Sequence, residues 1–319
     1  MRLTNEQIKS VAFGAVNVTE DNNGLHFYKC TQKQLEAWRS HSMSLFSNAS
    51  TSSGIRLDFE TNSQSFAFRA SAGKKFEIYV DDILRKQFIF EEAGEGRIIL
   101  SDPLGHKKDN YRVTLYFPSH GACGILEWVE LDDGATFTPH RFDRKWLFIG
   151  DSITQGWASD HDSLSYAIRT ARFFNAECVI QGIGGAYFAE DTFDSIDFDP
   201  DIVSVAYGTN DFGHYKTLDE LRSHANAHFS LIANEYKSKK LFFISPIWRD
   251  HREGKAMGSF EECRAVVIEE AERLGFIHID GLTLVPPLPV FYQDEYLHPN
   301  DNGFSVYAEN LILALKDHI

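Results

Sequence analysis

Near residue 140 the chain changes its hydrophobic rhythm, and this switch limits the possible folds more than any other feature. Before it, short runs alternate apolar and polar residues: Gly24-Leu-His-Phe-Tyr28, Gly54-Ile-Arg-Leu-Asp-Phe59, Ser65-Phe-Ala-Phe-Arg69, Phe76-Glu-Ile-Tyr-Val80, Gln87-Phe-Ile-Phe90, Arg97-Ile-Ile-Leu100 and Tyr111-Arg-Val-Thr-Leu-Tyr-Phe117. A period of two, punctuated by Gly, Asp, Asn and Pro, predicts antiparallel strands in a β-sandwich or jelly roll. A single helical interruption is expected at Gln32 to Ser40. After the turn-rich segment Asp132-Asp-Gly-Ala-Thr-Phe-Thr-Pro139, read as a linker, strands are expected at about 145–150, 177–181, 201–206, 240–245 and 276–280. Helices are expected between and after them, at 162–174, 217–236, 259–273 and 301–317. Thr217-Leu-Asp-Glu220 and Ser259-Phe-Glu-Glu262 have the form of capping boxes, and Pro299-Asn300 breaks the chain before the last helix. This is the βαβ rhythm of a doubly wound parallel sheet. The sequence therefore divides into an all-β accessory domain, 1–140, and an α/β domain, 141–319.

Composition narrows the function. A net charge of −15 and a pI near 5.3 argue against a phosphate-backbone partner, which requires a basic face. No stretch approaches the ~20 apolar residues of a membrane helix, and the first ten residues lack the apolar run of a secretory signal. Cys30, Cys123, Cys178 and Cys263 are scattered without metal-ligand spacing, so reduced buried thiols and a cytoplasmic setting are expected. The glycosylation-type tripeptides Asn17-Val-Thr19 and Asn48-Ala-Ser50 carry no meaning without secretion. Length and a 43% apolar content suffice for two cores.

The chemistry concentrates in four places. Trp146-Leu-Phe-Ile-Gly-Asp-Ser-Ile-Thr-Gln-Gly156 ends a buried strand abruptly in Gly-Asp-Ser. This puts the Ser152 hydroxyl beyond the carboxyl end of a parallel strand, where open α/β sheets place reactive groups. Gln181-Gly-Ile-Gly-Gly-Ala186 is a glycine turn whose N–H groups could approach a substrate oxygen. Tyr207-Gly-Thr-Asn-Asp211 offers the carboxamide of Asn210 as another donor. Asp294-Glu-Tyr-Leu-His-Pro299 sets His298 close to two carboxylates, as a general base needs.

Together these four blocks resemble those of the SGNH hydrolases, the GDSL-type esterase and acylhydrolase superfamily, over roughly residues 143–319. The resemblance implies a flavodoxin-like sheet of five parallel strands with all four blocks on its C-terminal edge. It makes Ser152 the nucleophile and His298 the base, and forms the oxyanion hole from the N–H of Ser152, the N–H of Gly185 and the side chain of Asn210. The family carries Asp three residues before the histidine, where this chain has Glu295, with Asp294 one residue earlier. Spacing favours Glu295, because an extended segment would turn Asp294 to the opposite side. Asp294, or a backbone carbonyl, remains the alternative. The first half is also similar to the N-terminal sandwich of two-domain members, including family-two carbohydrate esterases.

Other groups admit blander readings. Trp157, Tyr187 and Trp248, with Phe188 and His214, follow motif or strand ends and are candidates for substrate contact, although aromatic side chains more often fill cores. Asp151 and Asp211 read as braces for their turns, and Arg249 as an ion-pair partner or a carboxylate ligand. No metal site is expected, since the histidines lack ligand spacing, and Gly182-Ile-Gly-Gly-Ala-Tyr187 lacks the context of a dinucleotide fingerprint. The expected activity is cofactor-free hydrolysis of a small acyl ester, acetyl above all, on a sugar or similar polar alcohol. Lysophospholipase, thioesterase and acyltransferase chemistry would use the same residues. A carbohydrate-binding protein without catalysis is the reading from a different class. The sequence sets no oligomeric state.

Overall fold

The computed structural model describes residues 1–294 and 296–319. Two antiparallel five- and six-stranded sheets form the first part. One runs in the order Ala12–Phe13, Arg56–Thr61, Tyr111–Tyr116, Lys75–Val80 and Ile83–Ile89, with Phe137–Pro139 also paired to Arg56–Thr61. The other runs Asn17–Asp21, Gly24–Tyr28, Gly124–Leu131, Ser65–Ala72 and Gly94–Ile99. Alternate residues meet between them: Leu57, Phe59, Phe76, Ile78, Val113 and Leu115 from one face, Leu25, Phe27, Phe66, Phe68 and Leu126 from the other. Phe68 and Phe76 pack with ring centroids 5.2 Å apart and Phe76 and Phe117 at 5.5 Å, the offset and tilted geometry that aromatic quadrupoles favour.

The strand Gly124–Leu131 lies between two others in its sheet, although its sequence does not announce it. Its pairing with Ser65–Ala72 shifts register at Ile125/Leu126 and again at Leu126/Trp128. These bulges break the period of two that marks a strand. The segment read as a linker holds the short strand Phe137–Pro139.

Helical content in the first half exceeds the single helix expected there. Asn5–Ser10 is one addition. Gln32–His41 starts on a capping box between Thr31 and Gln34, and Ser42, which ends it, also caps a third helix, Met43–Ala49, by accepting the N–H of Leu45. Met43–Ala49 buries only Leu45 and Ala49, too sparse a stripe to register as periodicity.

The second part is a parallel sheet in the order Ala176–Gly182, Arg144–Gly150, Ile202–Ala206, Lys240–Ile244 and Ile277–Ile279, the 2-1-3-4-5 order of a flavodoxin-like sheet. Both capping boxes are realised, on Leu218–Glu235 and Phe260–Arg273, and Asn300 caps Asp301–Leu315. Where one helix was expected at 162–174, a 3₁₀ turn, Asp162–Leu164, precedes Tyr166–Phe173, with Ser165 as its cap. One face of the sheet, through Trp146, Phe148, Phe242 and Ile244, packs on Tyr166, Phe304, Tyr307 and Leu311. The opposite face, through Leu147, Ile149, Val203 and Phe243, packs on Ala225, Phe229 and Val267, and also on Leu35, Trp38 and Leu45. Residues 32–49 thus belong to the sandwich by sequence and to the parallel sheet by packing.

Polar contacts join the halves further. Lys75 Nζ donates to Asp160 O at 2.9 Å, Glu77 Oε2 accepts the N–H of Ser163 at 2.9 Å, and Asp162 Oδ2 accepts the N–H of Ser119 at 2.7 Å. All three fall on the loop that follows the Gly-Asp-Ser turn.

Candidate active site

Ser152 opens a one-turn helix, Ser152–Gln155, immediately beyond the strand Arg144–Gly150. Asp151 caps it by accepting the N–H of Ile153 at 2.9 Å. Gly156 closes it in the left-handed region at φ 89°. The turn holds the hydroxyl in place, since Ser152 is only 7% exposed.

His298 approaches from the C-terminal loop, with Nε2 2.9 Å from Ser152 Oγ. On its other side Nδ1 lies 2.6 Å from Asp294 Oδ2. With Nδ1–H donated to Asp294, the lone pair on Nε2 is left to accept the serine proton. Asp294 reaches this position because the segment is a turn and not an extended strand. Its Oδ1 accepts the N–H groups of Tyr296 at 3.1 Å, Leu297 at 2.8 Å and His298 at 3.0 Å, the self-capping typical of aspartate. Partial burial alone would raise its pKa, but these N–H groups and the imidazole outweigh burial and hold the carboxyl below its ordinary range. Glu295, favoured by spacing, lies outside the described residues. The premise that turned Asp294 away, an extended backbone, does not apply to this loop.

Two further loops close around Ser152. In Gln181–Ala186, Gly182 is pressed against the serine turn so closely that a Cβ there would lie 2.3 Å from Gln155 N. Gly185 adopts φ +86° and is exposed, and a Cβ there would meet Leu45 Cδ2 at 3.5 Å. Gly184 is gripped at both of its peptides: Gln155 Oε1 accepts its N–H at 2.6 Å, and Asn48 Nδ2 donates at 2.8 Å to its carbonyl, which belongs to the Gly184–Gly185 peptide. This peptide is trans, so fixing its C=O directs the N–H of Gly185 the opposite way. That N–H has no hydrogen-bond partner among the described residues. In the neighbouring loop Asn210 Nδ2 donates one hydrogen to Ala186 O at 2.8 Å, which anchors the amide and leaves its second N–H. Asp211 ties the two loops together, accepting the N–H of Phe188 at 2.9 Å and of Gly208 at 3.0 Å. Burial pushes the Asp211 and Asp151 carboxyls up to about 7, against the backbone N–H groups that hold them down.

Residues of the first half support this arrangement, and none carries a local sequence signal. Beside Asn48, the buried Lys29 donates to Gly182 O at 2.7 Å, Thr51 Oγ1 at 2.8 Å and Ser53 Oγ at 3.0 Å. With no carboxylate in this set, burial lowers its pKa to about 7. Gln155 Nε2 donates to Ser119 O at 2.7 Å.

The aromatic candidates separate. Trp157 is 41% exposed, edge-on to His120 at 5.1 Å. Tyr187 stacks on His214 at 3.7 Å and bonds His41 Nδ1 through its hydroxyl at 2.7 Å. Phe188 is fully buried. Trp248 packs on Tyr292 at 5.2 Å against the core. Arg249 donates to Thr209 O at 3.0 Å and pairs with no carboxylate among the described residues. All four cysteines are free and buried. Among the described residues no three His, Cys, Asp or Glu side chains converge as a metal site, and no helix is long and apolar enough to cross a membrane.

Residues 148–306 match the model of the GDSL-like Lipase/Acylhydrolase family. A search of curated protein sequences finds no match. Among solved structures, a salicylyl-acyltransferase from a tetracycline biosynthetic pathway superimposes with a TM-score of 0.81 at 18% identity, over 97% of this chain and 95% of that one. A putative GDSL-like lipase from Bacteroides ovatus gives 0.76 at 15% identity, over 99% and 97%. A family two carbohydrate esterase from Clostridium thermocellum, solved with cellohexaose, gives 0.67 at 17% identity, over 96% and 98%. At these identities the likeness establishes the fold, sandwich included. The family model covers the Gly-Asp-Ser turn, both glycine and asparagine loops and the histidine, and the chain is a serine hydrolase of the GDSL-like lipase/acylhydrolase family, of the SGNH type.

Proposed function

We propose that the chain hydrolyses a small acyl ester, acetyl above all, on a carbohydrate or comparably polar alcohol, through an acyl-enzyme at Ser152. The observation that carries this reading is the relay from Ser152 Oγ through His298 to Asp294, with spacings of 2.9 and 2.6 Å. Ser152 Oγ adds to the ester carbonyl carbon while its proton passes to His298 Nε2, and the Asp294 carboxylate stabilises the imidazolium. The negative oxygen of the tetrahedral intermediate is held by the N–H groups of Ser152 and Gly185 and the free N–H of Asn210. Collapse breaks the ester C–O bond as His298 returns its proton to the departing alcohol oxygen. Water then attacks the acyl group by the same route, releasing the acid and restoring Ser152. The cycle balances without a cofactor.

The polar-substrate reading is supported by a rim of half-exposed aromatic and hydrogen-bonding groups, Tyr187, His214, His41 and Trp157, and by carbohydrate esterases among the structural neighbours. A second reading, acyl transfer to an alcohol, is favoured by the full-length likeness to a salicylyl-acyltransferase. We place the reaction in the cytoplasm, where four free, buried thiols would stay reduced. Hydrolysis of p-nitrophenyl esters from acetate to decanoate and of acetylated xylo-oligosaccharides, with Ser152→Ala as control, tests the proposal. Activity should peak at the shortest acyl chain. A maximum at octanoate or longer would replace it with a lipid-directed reading, and product acylated on an added alcohol in preference to free acid would establish transfer.

A further inference from the structure

We propose that the substrate carries a carboxylate, and that the cleft beside the His298 loop binds it through Arg249 and Lys255. The inference rests on the esterase reading and adds the charge of its substrate.

A cleft of about 660 Å³ is lined by Arg249, His251, Glu253, Gly254, Lys255 and Tyr296. Two covalent neighbourhoods and two hydrogen bonds place it against the reacting groups. Arg249 Nη1 donates to the carbonyl of Thr209, the residue before Asn210, at 3.0 Å. Tyr296 sits between Asp294 and His298 in sequence, and its carbonyl accepts the N–H of Asp250 at 2.8 Å. The wall of the cleft is therefore continuous with the oxyanion loop on one side and the base on the other.

Among the described residues neither cation of this wall forms an ion pair. Arg249 uses two of its donors on backbone carbonyls, those of Thr209 and Asp250, and no carboxylate among the described residues pairs with it or with Lys255. The nearby Arg252, by contrast, pairs with Glu261 at 3.1 Å. Both cations flank one ring: Arg249 lies 5.7 Å and Lys255 6.0 Å from the centroid of Phe212. A half-buried guanidinium costs free energy unless a counter-charge meets it, and its planar fork matches a carboxylate in two parallel hydrogen bonds. Glu253, on the same wall, disfavours a second negative group further out. Burial also lowers the Arg249 pKa, the direction a bound anion would reverse.

Matched esters test this. On the acyl side, p-nitrophenyl hemisuccinate is compared with p-nitrophenyl butyrate; on the alcohol side, acetoxyacetate is compared with its methyl ester. The charged member of one pair should be preferred in kcat/KM, and the pair that responds tells on which side the carboxylate lies. Arg249→Gln should lower the charged-to-neutral ratio about ten- to a hundredfold, Arg249→Lys less, and Lys255→Gln by up to about fivefold, as expected of buried and exposed charge partners. A purely structural role for Arg249, acting through Thr209, would depress both members equally and leave the ratio alone. Calorimetric binding of succinate to the unmodified protein and to Arg249→Gln reads the same site without turnover. Succinate binding weakened tenfold or more by the substitution supports the site even if no ester is hydrolysed, in which case the esterase reading alone falls. An unchanged ratio in both ester pairs, or succinate binding indifferent to Arg249, overturns it.

Discussion

Asn48 lies 136 residues from its partner and outside the four motif blocks, yet the geometry gives it a measurable role in turnover. Its amide holds Gly184 O at 2.8 Å and so fixes the direction of the Gly185 N–H, the donor proposed for the oxyanion. A neutral hydrogen bond of this kind contributes about 0.5–1.5 kcal/mol net. If that much of the preference for the productive peptide orientation is lost, Asn48→Ala should lower kcat about two- to tenfold, since 1.36 kcal/mol is a decade in rate. Asn48→Asp goes further, because it sets a carboxylate oxygen against a carbonyl oxygen and favours the flipped peptide. Its loss should approach that of deleting a whole donor, about 10²-fold. Steady-state kinetics on p-nitrophenyl acetate separates this from a packing effect. Both substitutions should lower kcat and kcat/KM together, as befits a contact felt only in the transition state, with Tm within about 4 °C of the unmodified protein. The reasoning is refuted if Asn48→Asp turns over within twofold of the parent, or if only KM rises.

Asp294→Asn should cut kcat by at least about tenfold at unchanged KM, because an amide cannot hold His298 in its working tautomer; a milder effect from Asp294→Asn than from Glu295→Gln would return the role to Glu295. Asn210→Ala should lower kcat by about 10²- to 10³-fold, and a change confined to KM would make it a ground-state contact. The stability profile should bear the mark of Asp211, whose carboxyl burial pushes up from its ordinary 3.8 to about 7. Between these values the unfolded chain has released a proton that the folded chain retains, so this contribution is full below about pH 4 and is lost as pH rises through 7. Thermal melts across pH 4–7.5 should therefore show a flatter profile for Asp211→Asn than for the parent, and parallel profiles would contradict the assignment. Because catalysis is assigned to groups of the protein alone, activity should persist in a strong chelator; loss restored by a divalent ion would overturn that assignment.

How far the sequence reaches differs between elements for identifiable reasons. The parallel-sheet half is legible because its signals are local: apolar strands a few residues long, capping boxes at Thr217 and Ser259, and Asn300 before the last helix. Ser152, His298 and Asn210 are legible for the same reason, each sitting in a short motif at a strand end or in a loop. Gly124–Leu131 is hidden because two register shifts destroy its alternation, and Met43–Ala49 because it buries two residues in two turns. The alternative acid, Asp294, is set aside in the sequence on the premise of an extended backbone; it faces His298 because three N–H groups wrap its other oxygen into a turn, while Glu295 lies outside the described residues. Asn48, Lys29 and Gln155 carry no signal at all. Their roles arise from contacts 136, 153 and 29 residues away, the first two of which exist only once the sandwich half has docked on the parallel sheet.

The central claim, covalent catalysis at Ser152 driven by His298, is tested most directly by labelling with a fluorophosphonate followed by peptide mass spectrometry. The account predicts one adduct per chain, on the peptide bearing Ser152, with ester hydrolysis lost in proportion to labelling. The adduct should be absent from Ser152→Ala and slowed by orders of magnitude in His298→Ala. Hydrolysis that survives in Ser152→Ala, or full inactivation with the adduct on another residue, would contradict it.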